Sequence, residues 1–399
     1  MRHELDKGPS ATSTRRRVKI RQPADGEERP RATERGLACA DAVRPLTHRD
    51  ISAIVDLAGA VFPDNRWPTP AACEAYVRDL FLANPWRDDE LPSWVSEDRS
   101  GLTGFCGVVP RRMSFRGREI RVAVSTSFMV HPRARGNLSA LALAQKVING
   151  PQDLTLTDGA TPEACRLWRG IGGVVPPLYN LHWVQPLRPL RYALSVLGRR
   201  SRVVRAVSLG LRPLADLRAA VAGRGRSAEA EPEELLDRPL STADMAARTS
   251  FIARRRELAP IYEADSLDWL LERMAGDDRK GPLRARAVLR RGELIGWYVY
   301  YACAGGVGEV VQIAAGDSAH ASVWNRLLND ARRERVLALR GRLQPELIDA
   351  LAASRSWLRV EGPHMLVHSR HAAISEAIER GSAFLTRLDG EWWIRVATG

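Results

Sequence analysis

Long apolar runs are missing from this chain. None approaches the roughly 18 residues that a membrane-spanning helix needs, and the N-terminal stretch has no apolar core of a secretory leader. The expectation is a cytoplasmic protein with no membrane span. Paired cysteines are missing too: Cys39, Cys73, Cys106, Cys165 and Cys303 are odd in number, scattered and never in a C-x-x-C pair. That argues against a disulfide framework and a zinc site and suits reduced thiols. Acidic residues are the scarcer charge, 47 against 60 Lys and Arg, which leaves +13 at neutral pH. Such an excess favours anionic partners, whether nucleic acid, anionic lipid or a phosphorylated cofactor, without choosing among them.

What is present is ordinary globular composition, 45% hydrophobic and 27% charged, over 399 residues. That length exceeds one ordinary core and predicts two domains. Residues 1–40, rich in Arg, Glu, Pro and Ser, read as a disordered basic tail. A first α+β domain is expected over 41–187 and a second over 236–399, with an arginine-rich helical connector and linker over 188–235. Between Arg188 and Arg226 ten arginines face one acid, Asp216, with apolar residues interleaved. Such a helix can grip phosphates or lie on lipid, but the favoured reading packs its apolar stripe on a neighbour and solvates the arginines.

The first domain reads as a short strand and capped helix over 44–58, strands at 93–98 and 101–110, a long strand at 120–130, a helix over 138–149, a strand at Leu154–Thr157 and a helix from Pro162 to Arg169. The second reads as a hairpin over 285–301, a strand at 309–315, a helix near 320–334, a strand at 336–339 and a helix from Pro345 to Ala353. Strands at Met365–His368 and Phe384–Arg387 follow, closed by Trp392 and Trp393, which read as packing. The shared order, strand, strand, long strand, helix, strand, helix, predicts an internal duplication.

Chemistry concentrates after the long strand, at Phe128-Met129-Val130-His131-Pro132-Arg133-Ala134-Arg135-Gly136-Asn137-Leu138-Ser139-Ala140. A tight basic turn feeding a helix N-terminus offers unpaired N–H groups, the positive end of the helix dipole and guanidinium donors, a site suited to a pyrophosphate. The stretch resembles the V-x-P-x-x-[QR]-x-x-G-x-[GA] signature of the GNAT acyltransferases, with Val130, Pro132, Arg135 and Ala140 on the pattern and Leu138 where the family has its first glycine. Thr161-Pro162-Glu163-Ala164-Cys165-Arg166-Leu167-Trp168-Arg169-Gly170-Ile171-Gly172-Gly173 resembles the family's N-x-x-A-x-x-x-Y-x-x-x-G-F block, matching at Ala164 and Gly172, with Trp168 in place of the tyrosine.

The resemblance implies two tandem GNAT-like domains, each a mixed, mostly antiparallel sheet flanked by helices, the second degenerate. It implies binding of acetyl-CoA or another acyl-CoA at Phe128, Met129, Val130, Arg133, Arg135, Gly136, Asn137, Leu138, Ser139, Ala140 and Trp168. The activity implied is N-acetyl transfer to an amine of a small molecule or peptide. An indole cannot protonate the departing thiolate as the family's tyrosine does. Asp158 is the candidate general base, or else a cap or turn former for the following helix; Ser125, Thr126 and Ser127 lie on the central strand, and His131 reads as a turn residue. Other readings are an inactive acyl-CoA-binding protein, a FemABX-like aminoacyl transferase, and a nucleic-acid-binding module built on Arg188–Arg226. His364, His368 and His371 lack a fourth ligand at metal spacing, so no metal is expected.

Overall fold

A computed structural model describes residues 42–63, 69–135, 138–200, 235–252, 254–360 and 362–394. The expected basic tail and most of the connector, including its linker, lie outside the described residues.

The first half runs β1 (Ala42–Pro45), α1 (Ile51–Val61), α2 (Pro70–Leu82), β2 (Trp94–Asp98), β3 (Gly101–Phe115), β4 (Arg118–Val130), α3 (Ser139–Ile148), β5 (Leu154–Ala160), α4 (Pro162–Gly170), β6 (His182–Pro186) and α5 (Pro189–Arg200). The second runs β7 (Leu235–Pro239), α6 (Thr242–Ile252), β8 (Leu258–Pro260), α7 (Ala264–Ala275), β9 (Leu283–Arg290), β10 (Glu293–Tyr301), β11 (Val307–Ala315), α8 (His320–Arg333), β12 (Ala338–Arg342), α9 (Ile348–Ala353), β13 (Trp357–Arg359), β14 (His364–His368) and α10 (Ala372–Glu379). The fold is α+β: two mixed, mostly antiparallel sheets flanked by helices.

The two sheets follow one plan. In the first, the order is β1-β2-β3-β4-β5-β14, with β8 on the far end of β3; in the second it is β13-β6-β12-β11-β10-β9-β7. All pairings are antiparallel except β4 with β5 and β11 with β12. Each parallel pair is bridged by one helix, α3 or α8, as a parallel crossover requires.

Both halves also open with the same ion-pair knot. Arg44 donates to both carboxylate oxygens of Asp50, which accepts the amide and hydroxyl of Thr47. Arg238, Asp244 and Ser241 repeat those contacts at the same spacing. The common pattern R-P-L-[ST]-x-x-D is thus a sequence trace of the duplicated plan, and it ties each first strand to the helix after it.

Sheet membership crosses the sequence division at residue 187. β6, from the first half, pairs with β12 in the second sheet, and β14, from the second half, pairs with β5 in the first. The hydrophobic core crosses as well, one cluster holding Val122 and Leu156 together with Trp297, Val311 and Leu388.

The segment Phe384–Arg387 is not a strand, contrary to its apolar pattern. Its amides bond singly and to different elements, Phe384 to Leu258 and Arg387 to Val311, and a turn closed by Asp389 on Thr386 ends it. The apolar residues are buried because the segment threads between the two sheets, which a burial pattern cannot distinguish from a ladder.

Candidate active site

β4 and β5 are in register only from Val122–Leu154 to Val124–Leu156, then part. Ser125 to Phe128 on one strand and Thr157, Gly159 and Ala160 on the other face a cavity of about 1130 Å³. β4 carries a bulge there: from Thr126 to Met129 it advances three residues while β3 advances two, from Gly107 to Phe105. Ser127, at the bulge, has φ of 51°, rare for a residue with a side chain. A bulge takes a residue out of the ladder and re-aims its polar groups, here beside the cavity.

Glu391, from the C-terminal segment, enters at the apex of the splay. Its carboxylate accepts the Gly159 amide at 2.9 Å and the Thr157 hydroxyl, with Thr126 also donating. The Glu391 amide in turn donates to Asp158 Oδ1 at 2.6 Å. This interlock needs two glycines: a Cβ on Gly159 would stand 2.8 Å from the Glu391 carboxylate, and one on Gly390 would stand 2.3 Å from that of Asp158. Burial, then the neighbouring Asp158 charge, push the Glu391 carboxyl up to about 7 against the pull of its donors. A carboxylate poised there and lining a cavity is suited to take a proton near neutral pH.

Asp158 has a different place. It is 0% exposed and does not line the cavity. Its Oδ2 pairs with Arg342 Nη1, and Arg342 Nη2 donates to its carbonyl at 2.7 Å. It therefore joins β5 to β12, tying the two sheets and holding Glu391 by the backbone. It does not cap α4 either: Thr161 Oγ1 accepts the Ala164 amide.

Of the residues singled out for acyl-CoA, Phe128, Ala140 and Trp168 line the cavity. Met129 points to the opposite face, into the core. Val130 is partly buried, and Ser139 is buried in the first turn of α3. Arg133 ties back to Asp98 at 3.2 Å, whereas Arg135 is exposed on the turn. Leu138, 76% exposed, stands outward at the N-cap of α3. Gly136 and Asn137 lie outside the described residues. Trp168 is 4% exposed and packs with Ile148, Cys165 and Leu366. His131 accepts the Arg133 amide within the turn, as its position predicted. Among the described residues no group of three His, Cys, Asp or Glu side chains is placed to hold a metal, and no helix is long and apolar enough to cross a membrane.

The second half repeats the splay. β11 and β12 part after Glu309–Arg340, and β11 is bulged between Val310 and Gln312. Here the protein consumes the exposed backbone itself. Gln344 donates to the Ile313 carbonyl at 2.6 Å and accepts its amide at 3.0 Å, while the Arg387 amide takes the Val311 carbonyl. The C-terminal segment thus fills the second splay before it delivers Glu391 to the first.

The topology and the site can be set against solved structures. A GCN5-related N-acetyltransferase from Anabaena variabilis superposes with a TM-score of 0.53 at 12% identity, covering 83% of this chain and 73% of that one. The chain has the GNAT fold. A GCN5-related N-acetyltransferase from Kribbella flavida gives 0.51 at 14% identity over 84% and 73% of the two chains. A conserved protein of unknown function from Enterococcus faecalis, described as a probable N-acyltransferase, gives 0.52 at 15% over 83% and 73%. No family model and no curated protein matches the sequence. The motif's candidate residues lie on β4, its bulge and the turn into α3, while Glu391 arrives from a segment that carried no motif.

Proposed function

We propose that the protein is an acyl-CoA-dependent N-acyltransferase that moves an acetyl group from acetyl-CoA to an amine. The observation carrying this reading is Glu391, a carboxylate poised near neutrality at the apex of the β4–β5 splay. The residues fit a pantetheine arm. The splay leaves strand edges unpaired beside the cavity, and the small side chains of Ala140 and Ala164 keep its wall open. Bound acetyl-CoA supplies the activated acyl group; Arg135 and the α3 N-terminus would receive its phosphates.

Glu391 takes a proton from the amine as its nitrogen forms the bond to the acyl carbon. The carbon–sulfur bond then breaks, and the thiolate takes a proton from water, because Trp168 offers no ionisable group. Backbone donors at the Ser127 bulge are the candidate support for the oxygen that gains charge in between.

Titration of acetyl-CoA into the protein by calorimetry, beside Arg135→Glu, and thiol release measured for Glu391→Gln test the reading. Binding is expected in the wild type and weakening in Arg135→Glu. Glu391→Gln should bind acetyl-CoA unchanged and lose about 10²–10⁴-fold in kcat. A glutamine variant with full kcat, or a wild type that binds no acyl-CoA, removes the proposal.

A further inference from the structure

Beyond Glu391 the cavity continues against the second half, and its wall there is cationic: Arg279, Lys280, Arg340, Arg359 and Arg387 all line it. The carboxylates available to them are shared. Asp277 serves both Arg279, at 2.9 Å, and Lys280, at 3.5 Å. Glu309 serves both Arg340 and Arg387, the latter at 2.9 Å. Two of these cations meet over a single indole: Lys280 Nζ lies 3.8 Å from the Trp392 ring centre and Arg387 Cζ lies 4.6 Å from it. Like charges gathered on one ring in a partly dehydrated wall repel, and a further anion between them would offset that repulsion.

Two further observations point the same way. Arg387, its side chain 6% exposed, has a buried Nε with no hydrogen-bond partner among the described residues. Burial holds the Lys280 ammonium below its ordinary range, a cost that a bound anion would offset. Trp392 directly follows Glu391, so this cationic wall adjoins the carboxylate assigned to the amine.

Resting on the acyltransferase reading, we infer that the acceptor is an anionic amine, a small molecule carrying a carboxylate or phosphate a few bonds from the nitrogen. The cations around Trp392 hold the anionic group and Glu391 receives the proton of the amine.

Matched acceptors test this: β-alanine against β-alaninamide, and phosphoethanolamine against ethanolamine, with acetyl transfer followed as thiol release and rates referred to the free-base amine. The anionic member of at least one pair should show a KM lower by about tenfold or more. The two pairs distinguish a carboxylate from a phosphate. Lys280→Met should erase the difference and Lys280→Arg should restore it. Equal KM for the neutral and the charged member of both pairs overturns the inference and leaves the acyltransferase reading standing. A second arm needs no turnover, calorimetric titration of each amine without acetyl-CoA. Binding of phosphoethanolamine or β-alanine but not of its neutral partner, without any acetyl transfer, would retain the anion site and remove the acyltransferase reading. Equal binding within both pairs, or binding of none with no transfer, overturns the inference.

Discussion

At the scale of single residues, the acyltransferase proposal has Glu391 couple catalysis to stability through one proton. Its carboxyl stands at about 7 against an ordinary 4.5, so across that interval the folded protein keeps a proton that the unfolded chain has lost. A group raised in this way stabilises most below its unfolded value, and its contribution is lost as pH rises through about 7. Glu391→Gln removes the dependence. Urea midpoints at pH 5 and pH 8 should show the variant gaining on the wild type by about 2–3 kcal/mol at the higher pH. Wild-type kcat/KM for the free-base amine should climb with unit slope toward a plateau above about 7; a flat profile from pH 5 to 9 would assign the proton to another group. Chain position offered Asp158 as a candidate base, and the structure turns its carboxylate toward Arg342. A carboxylate at the end of a central strand can face the cleft or the neighbouring sheet, and Arg342 on β12, invisible from residues 154–170, draws it to the sheet.

Among the elements, the β4–α3 and β5–α4 junctions follow local chemistry. Thr161 followed by Pro162 starts α4 with a side-chain cap and a residue whose missing N–H costs nothing there, so that boundary was readable. The R-P-L-[ST]-x-x-D repeat is equally local, because the arginine, the hydroxyl and the carboxylate that it joins lie within seven residues of one another. The C-terminal segment was not readable. Its run Phe384 to Arg387 has the apolar density of a strand, yet its partners are Leu258 and Val311, set by two different sheets. Its approach to β5 depends on Gly159. Gly159→Ala should displace the Glu391 carboxylate, lowering kcat by about 10²-fold while acetyl-CoA affinity, measured by titration, holds. Undiminished kcat in this variant would mean that the Glu391–Gly159 contact has no catalytic consequence.

For the whole molecule, the reciprocal placement of β6 and β14 makes the two sheets depend on each other. A fragment of residues 41–187 would carry β6 without β12, and would leave β5 with the edge that β14 covers. Unpaired edges and a core cut through Val122, Leu156, Trp297 and Leu388 do not support independent folding. The full chain should therefore unfold in one transition by urea, seen alike by tryptophan fluorescence and circular dichroism, and the fragment should show no cooperative transition. Two separated transitions, or a folded fragment, would contradict this dependence.

Composition, periodicity and the turn motifs by themselves determined the α+β class, the order of most elements and the strand-to-helix turn of the GNAT fold, because those properties reside in residues close along the chain. Only the tertiary structure decided which sheet each exchanged strand joins, that Asp158 is spent on Arg342, and that Glu391 meets Gly159 across 232 positions of sequence. Those contacts are chosen by the packing of two sheets against each other, and no short window of residues contains both partners.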